Sequence, residues 1–243
     1  TSAADWLRAH ARAGDVIGFD PWLHTPDEIG KIEAGLSGSG IVLQALRENP
    51  LDAVWTDQPP ASVGAVREHP LALAGQSAAE KRARLAAHLQ RAGATASVIT
   101  LADSLSWLMN WRGADIIRNP VVQGFAILHD DARLDLFLDP SKLAGIAEQP
   151  GVTRHAPDGF LPALKALNGA VSFDAGTAPV AVKSALAQGV NLADPCLMAK
   201  ATKNPAELEG MRAAHRRDGA AMVEFLAWYD AQTLTELSEI DIA

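Results

Sequence analysis

Seven histidines, 29 acidic residues and a single cysteine are the groups with which this 243-residue chain could do metal or nucleophilic chemistry. The histidines are His10, His24, His69, His88, His129, His155 and His215. None forms an i,i+4 His pair with a Glu, and none joins a Cys/His cluster, so the spacings that converge on a divalent ion are missing. His129-Asp130-Asp131 groups three ligand types, but adjacent residues in a tight turn point apart, and the run reads as a solvated hairpin tip. His215 falls on the stripe Leu208, Met211, Met222, Phe225, Leu226 and Tyr229, where a histidine reads as a core or interface residue. Cys196, in DPCLMAK, has no neighbour that would lower its pKa and reads as structural. GxGxxG, GxxxxGK and GxSxG motifs are absent from the sequence. The residues therefore supply no catalytic and no metal-ligating set of their own.

One stretch does concentrate polar groups. WLMNWRGADIIRNPVVQGFAI (107–127) places Asn110, Arg112, Asp115 and Asn119 within ten positions, between two tryptophans and a strand. Loops after strands are where α/β proteins carry binding groups, and an Arg before a Gly offers a forked donor beside a turn, suited to a carboxylate. These four residues are the candidates for a substrate cleft. The other reading is structural: Arg112 and Asp115 pair with each other to fix the loop, and Asn119-Pro120 starts the next strand.

The elements that must position this stretch are partly declared. TPDEIGKIEAGL carries a capping box in Thr25 and Glu28 with Pro26 at the first helical position. SAAEKRARLAAHLQRAG repeats it with Ser77 and Glu80 and stops at Gly93, and NPAELEGMRAAH does so with Asn204, Pro205 and Glu207. TSAADWLRAHARAGD reads as an amphipathic helix. Strands are expected in DVIGFD, DAVWTD, ASVIT, WLMNWR, VVQGFAIL, RLDLFLD and AVSFD, with a hairpin at Asp130-Asp131 that turns Leu134, Leu136 and Leu138 onto one face. Strands alternating with helices predict an α/β sandwich with a mixed sheet. VIGFDPWLHTPDEIGKIEAGL and AVSFDAGTAPVAVKSALAQG also share an order of strand, Phe-Asp, helix and Gly stop, which suggests two related units with a boundary near Pro70–Ser77.

Composition narrows the partners. A net charge of −8 argues against non-specific nucleic-acid binding. No apolar run approaches the roughly 18–20 residues that span a bilayer, so no membrane partner is expected. A lone cysteine fits a reducing compartment, and a cytoplasmic location is expected. The chain lacks an initiator Met and ends soon after a well-signalled helix begins, so it reads as a fragment or a trimmed piece of a longer protein.

ADSLSWLMNWRGADIIRNPVVQGFAIL resembles the second-domain signature of the long, three-domain form of aminopeptidase P, the Xaa-Pro aminopeptidases, where W-L-x-N-x-R-G-x-D-I…N-P-V is typical. GFDPWLHT with DAVWTDQPP resembles the close of that family's first domain, GQSAAEKRARLAAHL the opening of the second, and DPCLMAKATKNPAELEGMRAAHRRDGAAMVEFLAW the passage into the third. Gln123-Gly124-Phe125 departs from the pattern, which has a bulkier residue before a Ser-Tyr-like pair, and that weakens a substrate role for this strand. The resemblance implies two related ribonuclease-H-like, creatinase N-terminal-type α/β units with mixed sheets, the first incomplete, followed by the first helix of a pita-bread catalytic domain. The corresponding boundaries are 1–76, 77–201 and 202–243. It implies removal of the N-terminal residue before a proline by a site with two divalent ions, commonly manganese. Their two Asp, one His and two Glu ligands lie downstream of the helix at Asn204, so this chain is expected to be inactive alone. A catalytically dead peptide- or protein-binding module of the same superfamily is the alternative. The stripe Leu208, Met211, Met222, Phe225 and Leu226 is expected at an oligomer contact, in a homo-oligomer.

Overall fold

A computed structural model describes residues 2–232 and 237–242. The elements in chain order are α1 (Ala3–His10), β1 (Val16–Phe19), α2 (Pro26–Leu36), β2 (Val42–Ala45), α3 (Pro50–Val54), β3 (Arg67–Glu68), α4 (Leu71–Ala74), α5 (Ala78–Arg91), β4 (Ala96–Ile99), α6 (Ala102–Met109) and β5 (Trp111–Arg112). They continue with β6 (Phe125–His129), β7 (Leu134–Phe137), β8 (Val152–His155), α7 (Phe160–Ala166), β9 (Val171–Phe173), α8 (Val180–Ala185), β10 (Gly189–Asn191), α9 (Cys196–Ala201), α10 (Pro205–Asp230) and α11 (Glu239–Ile242).

The core is a six-stranded mixed sheet of order β10-β9-β4-β6-β7-β8. β6 runs antiparallel to β4 and β7, while β4, β9 and β10 are mutually parallel and β8 is parallel to β7. Period-two alternation sends side chains to two separate cores. Ala126 and Leu128 of β6, with Leu134, Leu136 and Leu138, join Leu85 and Leu89 of α5 and Leu105 and Leu108 of α6 on one face. Ile127 and Phe137 join Phe160 of α7 and Val182 of α8 on the other. The sheet is thus buried on both faces, as a three-layer α/β sandwich requires.

The β1-α2-β2 and β9-α8-β10 segments are two copies of one unit. Each pair of strands is parallel, and in each the carbonyl of the phenylalanine accepts from a leucine just past the second strand, Leu46 to Phe19 and Leu192 to Phe173. Asp20 and Asp174 each accept the N–H two residues on, from Trp22 and Gly176, and each uses its second oxygen to hold the segment after the second strand, at Asn49 and Asp194. The copies dock reciprocally. Asp27 N–H in the first turn of α2 donates to Ala175 O, and Ala181 N–H in the first turn of α8 donates to Pro21 O. Each helix start thereby satisfies an otherwise orphan N–H on the other copy's loop.

All four capping boxes expected or implied at helix starts form, at Ser2–Asp5, Thr25–Glu28, Ser77–Glu80 and Asn204–Glu207. Three strand expectations need correction. DAVWTD lies in α3 and its turn, because Asn49 caps Leu51 N–H and Pro50 starts a helix ahead of the β-branched residues. In WLMNWR, residues 107–109 finish α6, since Leu105, Leu108 and Met109 follow a helical spacing, and only Trp111–Arg112 is extended. β6 begins at Phe125, after Gly124, so VVQG is not strand.

α10 runs 26 residues with none buried and is seated by its start alone. Asn204 Nδ2 donates to Ala74 O at 2.7 Å, just before Gly75, which adopts φ +69°. A Cβ on Gly75 would stand 2.3 Å from Asn204 Oδ1, in a backbone conformation that favours glycine. Gly75→Ala is therefore expected to lower stability by about 1–3 kcal/mol and to speed hydrogen exchange in the first turn of α10. Unchanged exchange there would show that the α4–α10 joint does not depend on this close approach.

Candidate substrate cleft

Asn110 ends α6 in the left-handed region, φ 54°, and turns its side chain inward. Its Oδ1 accepts from Lys81 Nζ at 2.6 Å and its Nδ2 donates to Gln76 O at 2.8 Å. Lys81, 1% exposed, also donates to Trp107 O at 2.9 Å and lies 4.3 Å from the centroid of the Trp107 ring. The ammonium thus fastens the C-terminal end of α6, where carbonyls lack helical partners and the helix dipole favours a cation. Burial pushes its pKa down to about 8, with Arg112 and Arg84 adding to the fall and Glu207 opposing it.

Asp115 is the second anchor. Its side chain is fully buried, forms an ion pair with Lys142 at 2.9 Å, and accepts the N–H groups of Gly64 and Gln123. Burial raises its pKa, but the bonds from Gln123, Lys142 and Ser62 outweigh this and hold it below the usual carboxylate range. Asp115 therefore pairs with Lys142 and not with Arg112. Gly113 is not a hinge: a Cβ there would meet Val121 O at 2.3 Å, so the loop is closely stitched at its base.

With Asn110 and Asp115 spent on internal partners, Arg112 and Asn119 face a groove of about 630 Å³ between this loop and the first turns of α10. Trp107 lies along it, and Glu207, Met211 and Arg217 of α10 form the opposite wall. Arg112 donates from Nη1 to Trp111 O at 2.8 Å and, among the described residues, makes no ion pair. Burial lowers its pKa and Glu207 opposes this. Glu207 serves twice, capping α10 through Asn204 N–H and accepting Trp107 Nε1–H at 3.3 Å. His69 lines the same groove, and its pKa is lowered by burial, then by Arg112 and Lys81, which favours the neutral ring. The arrangement offers an arginine and an amide beside an apolar wall of Trp107, Leu73 and Met211, suited to a short peptide with an apolar body and polar ends.

Residue types alone did not single out His69, Lys81 or Glu207 for this site. A signal existed for Lys81: it sits on the buried stripe Ala78, Lys81, Arg82, Leu85, Ala86, Leu89 of α5, where a cation must have a partner. His215 is exposed on α10, its Nδ1 at 2.8 Å from Met211 O. The hairpin tip does not gather His129-Asp130-Asp131. His129 Nε2 instead meets Asp135 Oδ2 at 2.7 Å, and His155 Nε2 meets Asp135 Oδ1 at 2.9 Å across three adjacent strands. No group of three or more His, Cys, Asp or Glu among the described residues is arranged to hold a metal ion.

Residues 57–207 match the model of the creatinase/prolidase N-terminal domain, and the chain belongs to that family. Its relatives narrow the likeness. It is 35% identical over 264 residues to a protein of Aspergillus niger named "Probable Xaa-Pro aminopeptidase P", covering 98% of this chain and 42% of that protein. A protein of the same name from Coccidioides posadasii is 35% identical over 258 residues, covering 98% and 39%. The chain thus spans less than half the length of these relatives. The crystal structure of X-prolyl aminopeptidase from Caenorhabditis elegans, described as a cytosolic enzyme with a di-nuclear active site, superposes with a TM-score of 0.87 at 28% identity. That superposition covers 100% of this chain and 42% of the nematode protein.

Because folded Lys81 titrates near pH 8 and an unfolded lysine near 10.5, the unfolded chain binds more protons between these values. The cost of the buried charge is full below about pH 8 and is relieved as pH rises toward 10.5. Denaturant unfolding of wild type and Lys81→Met at pH 8 and pH 10 is expected to show the gap between them shifting in favour of wild type at the higher pH. A gap independent of pH would mean that Lys81 is not desolvated in solution.

Proposed function

We propose that this chain is the framework portion of a two-ion Xaa-Pro aminopeptidase, which removes the residue before an N-terminal-penultimate proline. The observation that carries this reading is the end-to-end superposition on the nematode X-prolyl aminopeptidase, TM-score 0.87 with no part of the chain left over. Residues 1–76 form part of a first α/β unit, 77–201 the second, and 202–243 the start of a catalytic domain. The described residues do not fit a dinuclear centre, so the ions, manganese being the proposed pair, are held outside them.

The chain's own residues bind and orient. Arg112 and Asn119 provide donors at the groove, and Trp107 and Met211 provide the apolar wall for the peptide body. Asn110 and Asp115 position that pair by fixing the two ends of the loop. A cytoplasmic location is supported by the description of the nematode relative and by the unoxidised, buried Cys196. No described helix is long and apolar enough to cross a membrane.

The 243-residue chain with added manganese is expected to leave Xaa-Pro peptides intact, while the full-length gene product cleaves them and loses this activity with chelator. In the full-length enzyme, Arg112→Ala is expected to raise KM about tenfold or more with a smaller change in kcat. Chelator-sensitive cleavage by the chain alone, or a full-length protein that binds such peptides without cleaving them, would overturn the reading, the latter in favour of a binding module.

The exposed face of α10 is the proposed contact of a homo-oligomer. Leu208, Met211, Met222 and Leu226 are 41–52% exposed, and Phe225 lies beside Trp228 and Tyr229. Light scattering is expected to show self-association that Leu226→Glu reduces. A clean monomer at high concentration would count against it.

A further inference from the structure

Below β3 and β5, on the other side of His69 from the groove, lies a second pocket of about 360 Å³, lined by Glu68, His69, Arg82, Trp111, Gln149 and Pro150. Two of these side chains are more than nine-tenths buried and carry an N–H with no acceptor among the described residues. Arg82, 4% exposed, donates from Nη1 to Gln149 Oε1 at 3.3 Å and from Nη2 to Pro150 O at 2.8 Å, but its Nε has no partner. Trp111, 1% exposed, leaves its indole Nε1–H likewise unmet.

Orphan donors at such depth are uncommon, and a buried charge without a counter-ion is more costly still. Both of Arg82's acceptors are neutral, and no salt bridge reaches it among the described residues. Burial alone lowers its pKa, with no acid opposing the fall. The contrast is with Lys142, buried to a similar degree, whose charge is met by Asp115 at 2.9 Å. A bridging water would satisfy an N–H but would leave the guanidinium charge uncompensated. A carboxylate supplies both an acceptor and the missing negative charge, through charge-assisted bonds. The volume is at the small end of ligand pockets, and Leu71 and Met109 add an apolar wall.

We infer that this pocket is a binding site for a small aliphatic carboxylate, held by Arg82 and Trp111 and separate from the substrate groove. Arg82 Nε–H and Trp111 Nε1–H donate to the carboxylate, and the short alkyl group lies toward Leu71 and Met109. Glu68 stands exposed at the mouth and opposes anion entry. The site does not depend on peptidase activity, and its test does not use that activity.

The probe is sodium acetate, exchanged for sodium chloride at constant ionic strength and neutral pH, on the ¹⁵N-labelled chain. The indole resonance of Trp111 is assigned by its loss in Trp111→Phe. It is expected to move saturably while the other indoles stay in place, and neutral acetamide, of similar shape, is expected to leave it unmoved. Arg82→Gln should weaken acetate binding by about tenfold or more. Since that variant removes buried hydrogen bonds and could unfold, Glu68→Gln on the exposed rim gives a second reading, in which acetate is expected to bind more tightly. An unmoved Trp111 signal in the wild-type titration overturns the inference, as does equal movement with acetamide or unchanged or weaker binding in Glu68→Gln. The first of these outcomes would mark the pocket as holding water only.

Discussion

The groove depends on an ammonium group that has been taken out of water. Lys81 rises from α5 beneath the end of α6 and has two good acceptors, Trp107 O and Asn110 Oδ1, plus the face of the Trp107 ring. Leaving any of these unmade would strand a charge in the core, so the geometry around it is narrowly determined. Asn110 must turn left-handed to present its oxygen, and that turn breaks α6 and sends Trp111 and Arg112 off in a new direction as a short strand. Trp107, pinned from below, holds out its indole N–H to Glu207, which also caps α10. One desolvated cation thereby sets the mutual placement of α5, α6, β5 and the start of α10, and with it both walls of the groove.

A different constraint holds the N-terminal unit. The β1–β2 pair is a two-stranded sheet with half-exposed apolar residues such as Val16 and Val42, too small to be stable alone. Its stability is borrowed from its likeness to β9-α8-β10. Because both copies end their first strand in Phe-Asp and turn into a helix, each presents a free carbonyl and a free helix-start N–H at matching places. The two exchanges, Asp27 to Ala175 and Ala181 to Pro21, follow from that equivalence. Duplicated local geometry is self-complementary about a pseudo-twofold axis, in the way that a homodimer interface is.

Local signals in the sequence were legible wherever a few neighbouring residues decide the outcome. Thr25–Glu28, Ser77–Glu80 and Asn204–Glu207 form the capping boxes that their spacing implied, and the Asp130-Asp131 turn and the alternation of Leu134, Leu136 and Leu138 are as the pattern reads. The Phe-Asp echo was visible, but its reciprocal docking was not, since nothing local joins residue 27 to residue 175. Short strands such as Val42–Ala45 and Gly189–Asn191 escaped notice because they are held by their parallel partners more than by their own composition. In the cleft, residue type identified Asn110, Arg112, Asp115 and Asn119 as a group. It could not sort them, because the sorting depends on Lys81 and Lys142, which are 29 and 27 residues away from Asn110 and Asp115 in the chain. Those lysines claim two of the four and leave the other two to the groove.

That sorting distinguishes the charges that build the fold from those left for something else. Asp115 with Lys142, and Asp135 with His129 and His155, are closed sets in which each carboxylate has met its donors. Arg112 and Arg82 are not closed: each is at least half-buried, and each has spent N–H groups only on neutral oxygens. Desolvating a guanidinium without a counter-ion opposes folding, so an arrangement that does it twice, at two adjoining pockets, is stable only because the surrounding packing imposes it. The same deficit that weakens the folded chain strengthens the binding of an incoming anion, which recovers Coulomb energy in a low-dielectric site without paying again to dehydrate the cation. In a protein of net charge −8, these two buried arginines are the places where negative charge is drawn in and not repelled.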